Sequence, residues 1–131
     1  MSLLPERVEW KTPEQIAVMR RSGQLLHRVH DMLESEIRPG ITTDELDSLA
    51  HTMIRDAGAT PNFLGYQGYP ATLCISVNDV VVHGIPDARP LEERETLDTA
   101  RPVALASDPG RDGGEPPIIC FSHLRWDFVH Q

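Results

Sequence analysis

Hydrophobic positions near the start of the chain recur at alternating steps of three and four residues, which is the spacing of one face of an α-helix. The stripe consists mostly of aliphatic residues, with one glycine and one histidine among them: Ile16, Met19, Gly23, Leu26, His30, Leu33 and Ile37. Thr12, Pro13 and Gln15 form a capping-box pattern before it, and Pro39-Gly40 follows it. We therefore predict an amphipathic helix that begins at Pro13.

A second helical pattern follows directly. Thr42 and Glu45 have the spacing of another capping box, and Gly58 is suited to the position just after a helix. The apolar face between them contains Leu46, Leu49, Ala50, Met53, Ile54 and Ala57. This pattern predicts a second amphipathic helix.

Beyond Thr60 the pattern becomes that of loops and strands. Glycines and aromatic residues between Pro61 and Pro70 are typical of a tightly packed loop. Ala71–Val77 predicts a strand, Asn78-Asp79 a turn and Val80–Val82 a second strand, which together make a β-hairpin. Helices followed by a hairpin indicate an α+β fold.

The last part of the chain has little periodicity. Five prolines lie between Asp87 and Pro117, and only Val103–Ala106 and Ile118–Phe121 are candidates for short strands. We therefore predict one domain over residues 1–93 and an irregular, poorly ordered tail over residues 94–131.

Composition excludes several classes of protein. The chain has 131 residues, which suits one domain, and its net charge of -8 disfavours binding to nucleic acid. There is no apolar run long enough to cross a membrane and no pattern of a signal peptide. Cys74 and Cys120 lack paired spacing and are interpreted as free thiols. These features predict a cytoplasmic protein that binds neither nucleic acid nor membranes.

Four motifs in order resemble the N-terminal half of type I methionine aminopeptidases. They are Lys11–Ile16, Pro39–Asp47, Leu64–Pro70 and Cys74–Pro86, and the resemblance covers residues 8 to 93. It implies half of the pita-bread fold and removal of the initiator methionine from nascent polypeptides, whose N-termini would be the partners. It also implies two divalent metal ions (Co, Mn, Fe or Zn) that activate a water molecule.

The resemblance also implies roles for individual residues. His83 matches a histidine that hydrogen-bonds the substrate near the scissile amide, a catalytic role without metal ligation. The other substrate-binding positions match residues that line or adjoin a methionine pocket: Phe63, Tyr66, Tyr69 and Cys74. Asn78 and the backbone near Val80 match a site for a monovalent cation.

The chain departs from the family after Glu93. Where the family has Gly-Asp followed by an aspartate ligand, this sequence has Arg94-Glu95, and the ligand position falls near Ala100 or Arg101. The resemblance therefore assigns no metal ligand here, and the family's metals are not expected to bind. We expect an aminopeptidase that is truncated or frameshifted near residue 94 and catalytically impaired.

Other interpretations remain open at this point. The chain could be a non-catalytic module that binds peptide N-termini, or an aminopeptidase that uses Asp98 and Asp108 or a second chain. A half-domain is also expected to self-associate through its exposed sheet. His27 and His30 have a spacing that metal ligands use, but His30 lies in the apolar stripe, so we interpret the pair as structural.

Overall fold

Two capped helices open the chain. The computed structural model describes residues 10–80, 83–93, 95–105 and 120–127. Helix α1 is Pro13–Glu36 and helix α2 is Thr43–Asp56, and each begins with the predicted capping box. The Thr12 side chain accepts a hydrogen bond from the Gln15 amide, and Thr42 accepts one from Glu45. Both helix predictions are confirmed, because the signals that set them are local in sequence.

Apolar residues of the two helices form half of the hydrophobic core cluster among the described residues. Val29, Leu46 and Ala50 are fully buried, and the remaining core residues from the helices are Leu25, Leu26, Leu33 and Ile54. His30 is buried within the α1 stripe, as the structural interpretation expected, and His27 lies outside it. No described helix has the length and apolar character needed to cross a membrane.

A four-stranded antiparallel sheet completes the described fold. Its strands are β1 (Ala59–Pro61), β2 (Cys74–Val77), β3 (Thr96–Leu105) and β4 (Cys120–Asp127). Strand β3 is central, because β1 and β2 pair with its two halves and β4 pairs along most of its length. The architecture is therefore α+β, with two helices and paired strands, as predicted.

The strand pairing differs from the predicted hairpin. Strand β2 pairs with β3, with Val77 opposite Leu97, and Val80 is not in a strand. The rest of the predicted second strand, residues 81–82, lies outside the described residues. The described residues 83–87 are not in a strand, and one backbone bond, from the Ile75 amide to the Gly84 carbonyl, joins them to β2.

Part of the predicted irregular tail is regular. Strands β3 and β4 both follow residue 93, and Leu97 is fully buried in the same core as the helices. The candidate strand at Val103–Ala106 overlaps β3, and the candidate at Ile118–Phe121 overlaps β4. Strand β3 forms backbone hydrogen bonds with β1 and β2. Such pairing between distant segments cannot be recognised from a local sequence pattern without periodicity. The domain boundary at residue 93 stays a prediction.

The loop between β2 and β3 crosses the start of α2. Thr43 exchanges hydrogen bonds with Asp87: its hydroxyl accepts from the Asp87 amide at 2.8 Å and lies 3.2 Å from the Asp87 carbonyl. Leu91 donates to the Ile41 carbonyl and accepts from Gly40, each at 2.8 Å. These bonds hold the loop that carries His83 against the helices.

Candidate functional site

Aromatic rings cluster around Phe63. Its ring centroid lies 6.4 Å from that of Tyr66, in a stacked arrangement, and 5.8 Å from that of Tyr69. The imidazole of His83 lies 6.2 Å away and meets the Phe63 ring edge to face. These separations are typical of favourable ring contacts. The fold therefore brings together four of the five predicted substrate-binding residues.

The tyrosine hydroxyls differ in what they contact. The single hydroxyl proton of Tyr69 is shared between the Leu73 carbonyl at 2.7 Å and the Gly84 carbonyl at 3.1 Å. Burial, together with the neighbouring Cys74, raises the pKa of Tyr69 well above its usual value, so its hydroxyl stays a donor. Tyr66 is 59% exposed and its hydroxyl accepts from Gln67. Tyr69 therefore supports the site from within, whereas Tyr66 presents its ring to solvent.

Cys74 is the predicted site residue that the surface does not include. It is 1% exposed in β2, and burial raises the pKa of its thiol. A neutral buried thiol is a weak nucleophile and a poor metal ligand. Cys74 therefore lies beneath the cluster, next to Tyr69.

His83 is exposed and its backbone is unusual. Its φ is +55°, in the left-handed region that non-glycine residues seldom adopt. The next residue, Gly84, is fixed to β2, because its carbonyl accepts from the Ile75 amide and its amide donates to the Ser76 hydroxyl. A strained residue held by its neighbours is typical of functional positions.

The predicted cation-site residues lie where this loop leaves β2. Asn78 donates from its side-chain amide to Glu95 at 3.0 Å, and Val80 is 47% exposed, with its amide donating to Val77. Glu95 is 8% exposed and forms an ion pair with Arg89 at 2.9 Å. Burial opposes ionisation of Glu95, but its bonds to the Glu92 amide, Arg89 and Asn78 outweigh burial and lower its pKa.

Sequence reasoning missed the residues that hold the site in place. Asp47 on α2 accepts from the Leu73 amide at 2.6 Å and from the Thr72 amide at 3.3 Å. His51, one helical turn further on, contacts the Thr72 hydroxyl at 2.9 Å. Asp47 ends the motif Pro39–Asp47 that resembles the family, and this motif could have identified it. Glu95 lies among several acidic residues and had no such signal.

The described residues do not fit a metal centre. Within residues 10–80, 83–93, 95–105 and 120–127, no three histidine, cysteine or carboxylate side chains come close enough to hold a metal ion. Asp108, considered as a ligand in one interpretation, lies outside the described residues, whereas the backbone of Asp98 lies in β3. A metal pair needs several carboxylates, so no chemical step is assigned to one here.

Comparison with known proteins gives consistent relatives. A family model described as metallopeptidase family M24 matches residues 17–99. Methionine aminopeptidase 1 of Bacillus subtilis is 41% identical over 87 residues, which are 66% of this chain and 35% of that protein. Methionine aminopeptidase 1D of Arabidopsis thaliana, a chloroplastic and mitochondrial protein, is 49% identical over 82 residues, 63% of this chain and 23% of that one.

Solved structures show the same similarity. Methionine aminopeptidase from Rickettsia prowazekii superposes with a TM-score of 0.73 at 32% identity, over 76% of this chain and 40% of that chain. The Thermotoga maritima methionine aminopeptidase has a TM-score of 0.79 at 23% identity, over 92% of this chain and 45% of that one, which shows the fold. The chain thus spans less than half the length of these relatives, and the shared fold continues past residue 93.

Proposed function

Because the chain belongs to metallopeptidase family M24, we propose that it carries the peptide-recognition part of a methionine aminopeptidase. It binds polypeptide N-termini that begin with methionine. Removal of the initiator methionine is the activity of the whole relative, and divalent metal ions are the cofactors that family membership implies. For this chain we propose recognition alone, and the close packing of the predicted aromatic residues with His83 supports that choice.

The observation that carries this proposal is the position of Phe63. Its ring contacts Tyr66, Tyr69 and His83, so an apolar aromatic surface lies directly beside an imidazole. A methionine thioether is polarizable and packs favourably against aromatic rings, with the sulfur about 5 Å from the ring. The side chain of an N-terminal methionine is therefore suited to the Phe63 surface.

His83 supplies the polar contact of this recognition surface. It is exposed, and Gly84 anchors its loop to β2. A methionine side chain on the Phe63 ring would bring the first peptide group near this imidazole, which can donate a hydrogen bond to the peptide carbonyl. Recognition would then combine apolar packing with one oriented polar group, the composition that is typical of small-ligand sites.

Hydrolysis requires groups that the described residues lack. For hydrolysis, a divalent metal pair (Co, Mn, Fe or Zn) would have to activate water, and the carboxylate ligands of that pair would have to come from outside the described residues. We therefore propose that this chain binds such peptides without hydrolysing them. We also propose that the chain self-associates through its sheet, which sedimentation velocity would measure. A cytoplasmic location is part of the same proposal.

The test is a binding titration of the purified chain with the peptide Met-Ala-Ser, followed by NMR chemical shifts, with Ala-Ala-Ser as the matched peptide. We expect saturable shifts with the methionine peptide and at least tenfold weaker binding of the alanine peptide. His83→Ala should weaken binding, whereas His27→Ala, an exposed histidine on α1, should not. Equal affinity for the two peptides would contradict the recognition proposal.

A second assay measures release of free methionine from the same peptide with added Mn²⁺ or Co²⁺. We expect release at the background level, equal in the unmodified chain and in His83→Ala. Metal-dependent release that His83→Ala abolishes would show that this chain assembles a metal site, and the non-hydrolytic part of the proposal would be wrong.

A further inference from the structure

Glu95 connects the two ends of the loop that carries His83. This loop runs from the end of β2 to the start of β3. Its first residue, Asn78, and its last residue, Glu95, are joined by a hydrogen bond. One carboxylate oxygen of Glu95 accepts from Asn78 at 3.0 Å and lies 2.9 Å from an Arg89 nitrogen. The other oxygen accepts from the Glu92 amide at 2.9 Å.

These contacts differ in kind from ordinary surface pairs. Glu95 is 8% exposed although it is an acid, and buried acids are rarely found without partners. Both of its oxygens are used, and they join three separate points of the loop. Bonds between a buried carboxylate and several donors fix geometry as well as adding stability.

Three described residues of this loop have constrained backbones. Asn78 and His83 both have φ of +55°, and Gly84 is bonded to β2. Asparagine and histidine adopt the left-handed conformation more readily than most residues, but it remains uncommon for either. An uncommon backbone conformation persists only where its surroundings hold it, and among the described neighbours Gly84 provides such support on the C-terminal side of His83.

We propose that Glu95 is a positioning residue that closes the β2–β3 loop and thereby holds His83 against Phe63. The recognition role of that pair rests on the proposed function, but the positioning itself does not. The lowered pKa of Glu95 agrees with a carboxylate that stays ionised while it performs this role. Glu95 touches neither ring and acts through the loop.

The experiment uses the full chain and the nuclear Overhauser contact between the ring protons of His83 and Phe63. We expect Glu95→Ala to abolish this contact under conditions where circular dichroism shows a folded protein. Glu93→Ala, the same change at an exposed acid two residues earlier, should retain it. Glu95→Gln should restore it in part, because its amide oxygen still accepts from Asn78 or Arg89. A contact that persists in folded Glu95→Ala would overturn the proposal.

A second variant covers the case in which Glu95→Ala does not fold. In Asn78→Gly, glycine tolerates the positive φ at this position but lacks the side-chain donor to Glu95. Asp79→Gly, the same replacement at the next residue, is the matched control. We expect the ring contact to be lost in the first and retained in the second. Retention in both would contradict the proposal.

Peptide titration separates this inference from the proposed function. If the unmodified chain binds Met-Ala-Ser, Glu95→Ala should weaken that binding about tenfold while Glu93→Ala leaves it unchanged. Unchanged affinity in Glu95→Ala would contradict the positioning role. If the unmodified chain does not bind the peptide, the proposed function fails, and the ring contact alone still decides the role of Glu95.

Discussion

At Gly84, the addition of a single methyl group should strongly destabilise the protein. A Cβ added there would lie 2.1 Å from the Ile75 carbonyl oxygen and 2.9 Å from the Ser76 Cα. Ordinary contacts begin near 3.4 Å, and both neighbours are backbone atoms of β2 that cannot rotate away. Gly84→Ala must therefore displace the loop from the strand by more than about 1 Å.

The cost follows from the bonds that such a displacement breaks. Gly84 accepts from the Ile75 amide at 2.9 Å and from the Tyr69 hydroxyl at 3.1 Å, and it donates to the Ser76 hydroxyl at 3.1 Å. Each hydrogen bond contributes about 0.5–1.5 kcal/mol, so losing all three costs about 1.5–4.5 kcal/mol. Domains of this kind are stable by only about 5–15 kcal/mol, so the loss is a large fraction of the total.

Urea denaturation followed by far-UV circular dichroism measures this cost, and Gly23→Ala is the matched control. Gly23 lies in the middle of α1, where a Cβ meets nothing within 4 Å. Alanine there should stabilise the protein by about 0.5–1 kcal/mol, because glycine is a poor helix former. The two glycine-to-alanine changes should thus have opposite signs. A Gly84→Ala protein as stable as the unmodified chain would refute the reasoning.

Three further predictions concern stability. Tyr69→Phe should lower the free energy of unfolding by about 1–2 kcal/mol, whereas Tyr66→Phe should change it by less than about 0.5 kcal/mol; equal effects in urea denaturation would contradict the difference in their contacts. Leu97→Ala should cost about 2–5 kcal/mol, since Leu97 is fully buried; an unchanged midpoint would mean that the segment after residue 93 adds nothing to the core. Because the pKa of Glu95 is lowered in the folded protein, its stabilising contribution is present above about pH 4.5, the ordinary glutamate pKa, and is lost as the pH falls through the folded value. Glu95→Gln should therefore flatten the acid limb of the curve of stability against pH, and Glu93→Gln should not.

The helices were predictable because their signals are local. Thr12 and Thr42 each lie three residues before a side chain that completes a capping box, and the stripes between follow the helical period. His30 fitted the stripe and is buried in it. Even so, Ile16 and Leu49 are 46% and 39% exposed. The helical period shows which face of a helix is apolar, but it does not show how much of that face other elements cover.

The sheet was predicted less well because its pairing is set by residues far apart in sequence. Strand β2 pairs with residues 20 to 26 positions later, across a loop whose length the local pattern does not encode. Pro102 also lies within β3, and proline within a run argues against a strand. Register depends on which faces are buried, and Leu97 was hidden in a segment that appeared aperiodic.

The candidate site depends both on local sequence signals and on contacts between residues far apart in the sequence. Phe63, Tyr66 and Tyr69 lie within one short loop, so a motif in the sequence was enough to group them. Their contact with His83 depends instead on Gly84 meeting β2 and on Glu95 closing the loop, and both depend on the three-dimensional fold. A motif thus identifies the groups of a site more readily than the contacts that orient them.

The contacts that support recognition are separate from those that hydrolysis would need. Asp47, Tyr69, Gly84 and Glu95 support the surface around Phe63, and all of them lie within residues 47–95. None of these contacts involves a cluster of carboxylates, and the described residues contain no such cluster. Since the orientation of the rings around Phe63 does not depend on metal ligands among these residues, the proposed peptide binding does not require a metal ion. Adding Mn²⁺ should therefore leave the affinity for Met-Ala-Ser unchanged; a metal-dependent increase would show that recognition and metal binding are coupled.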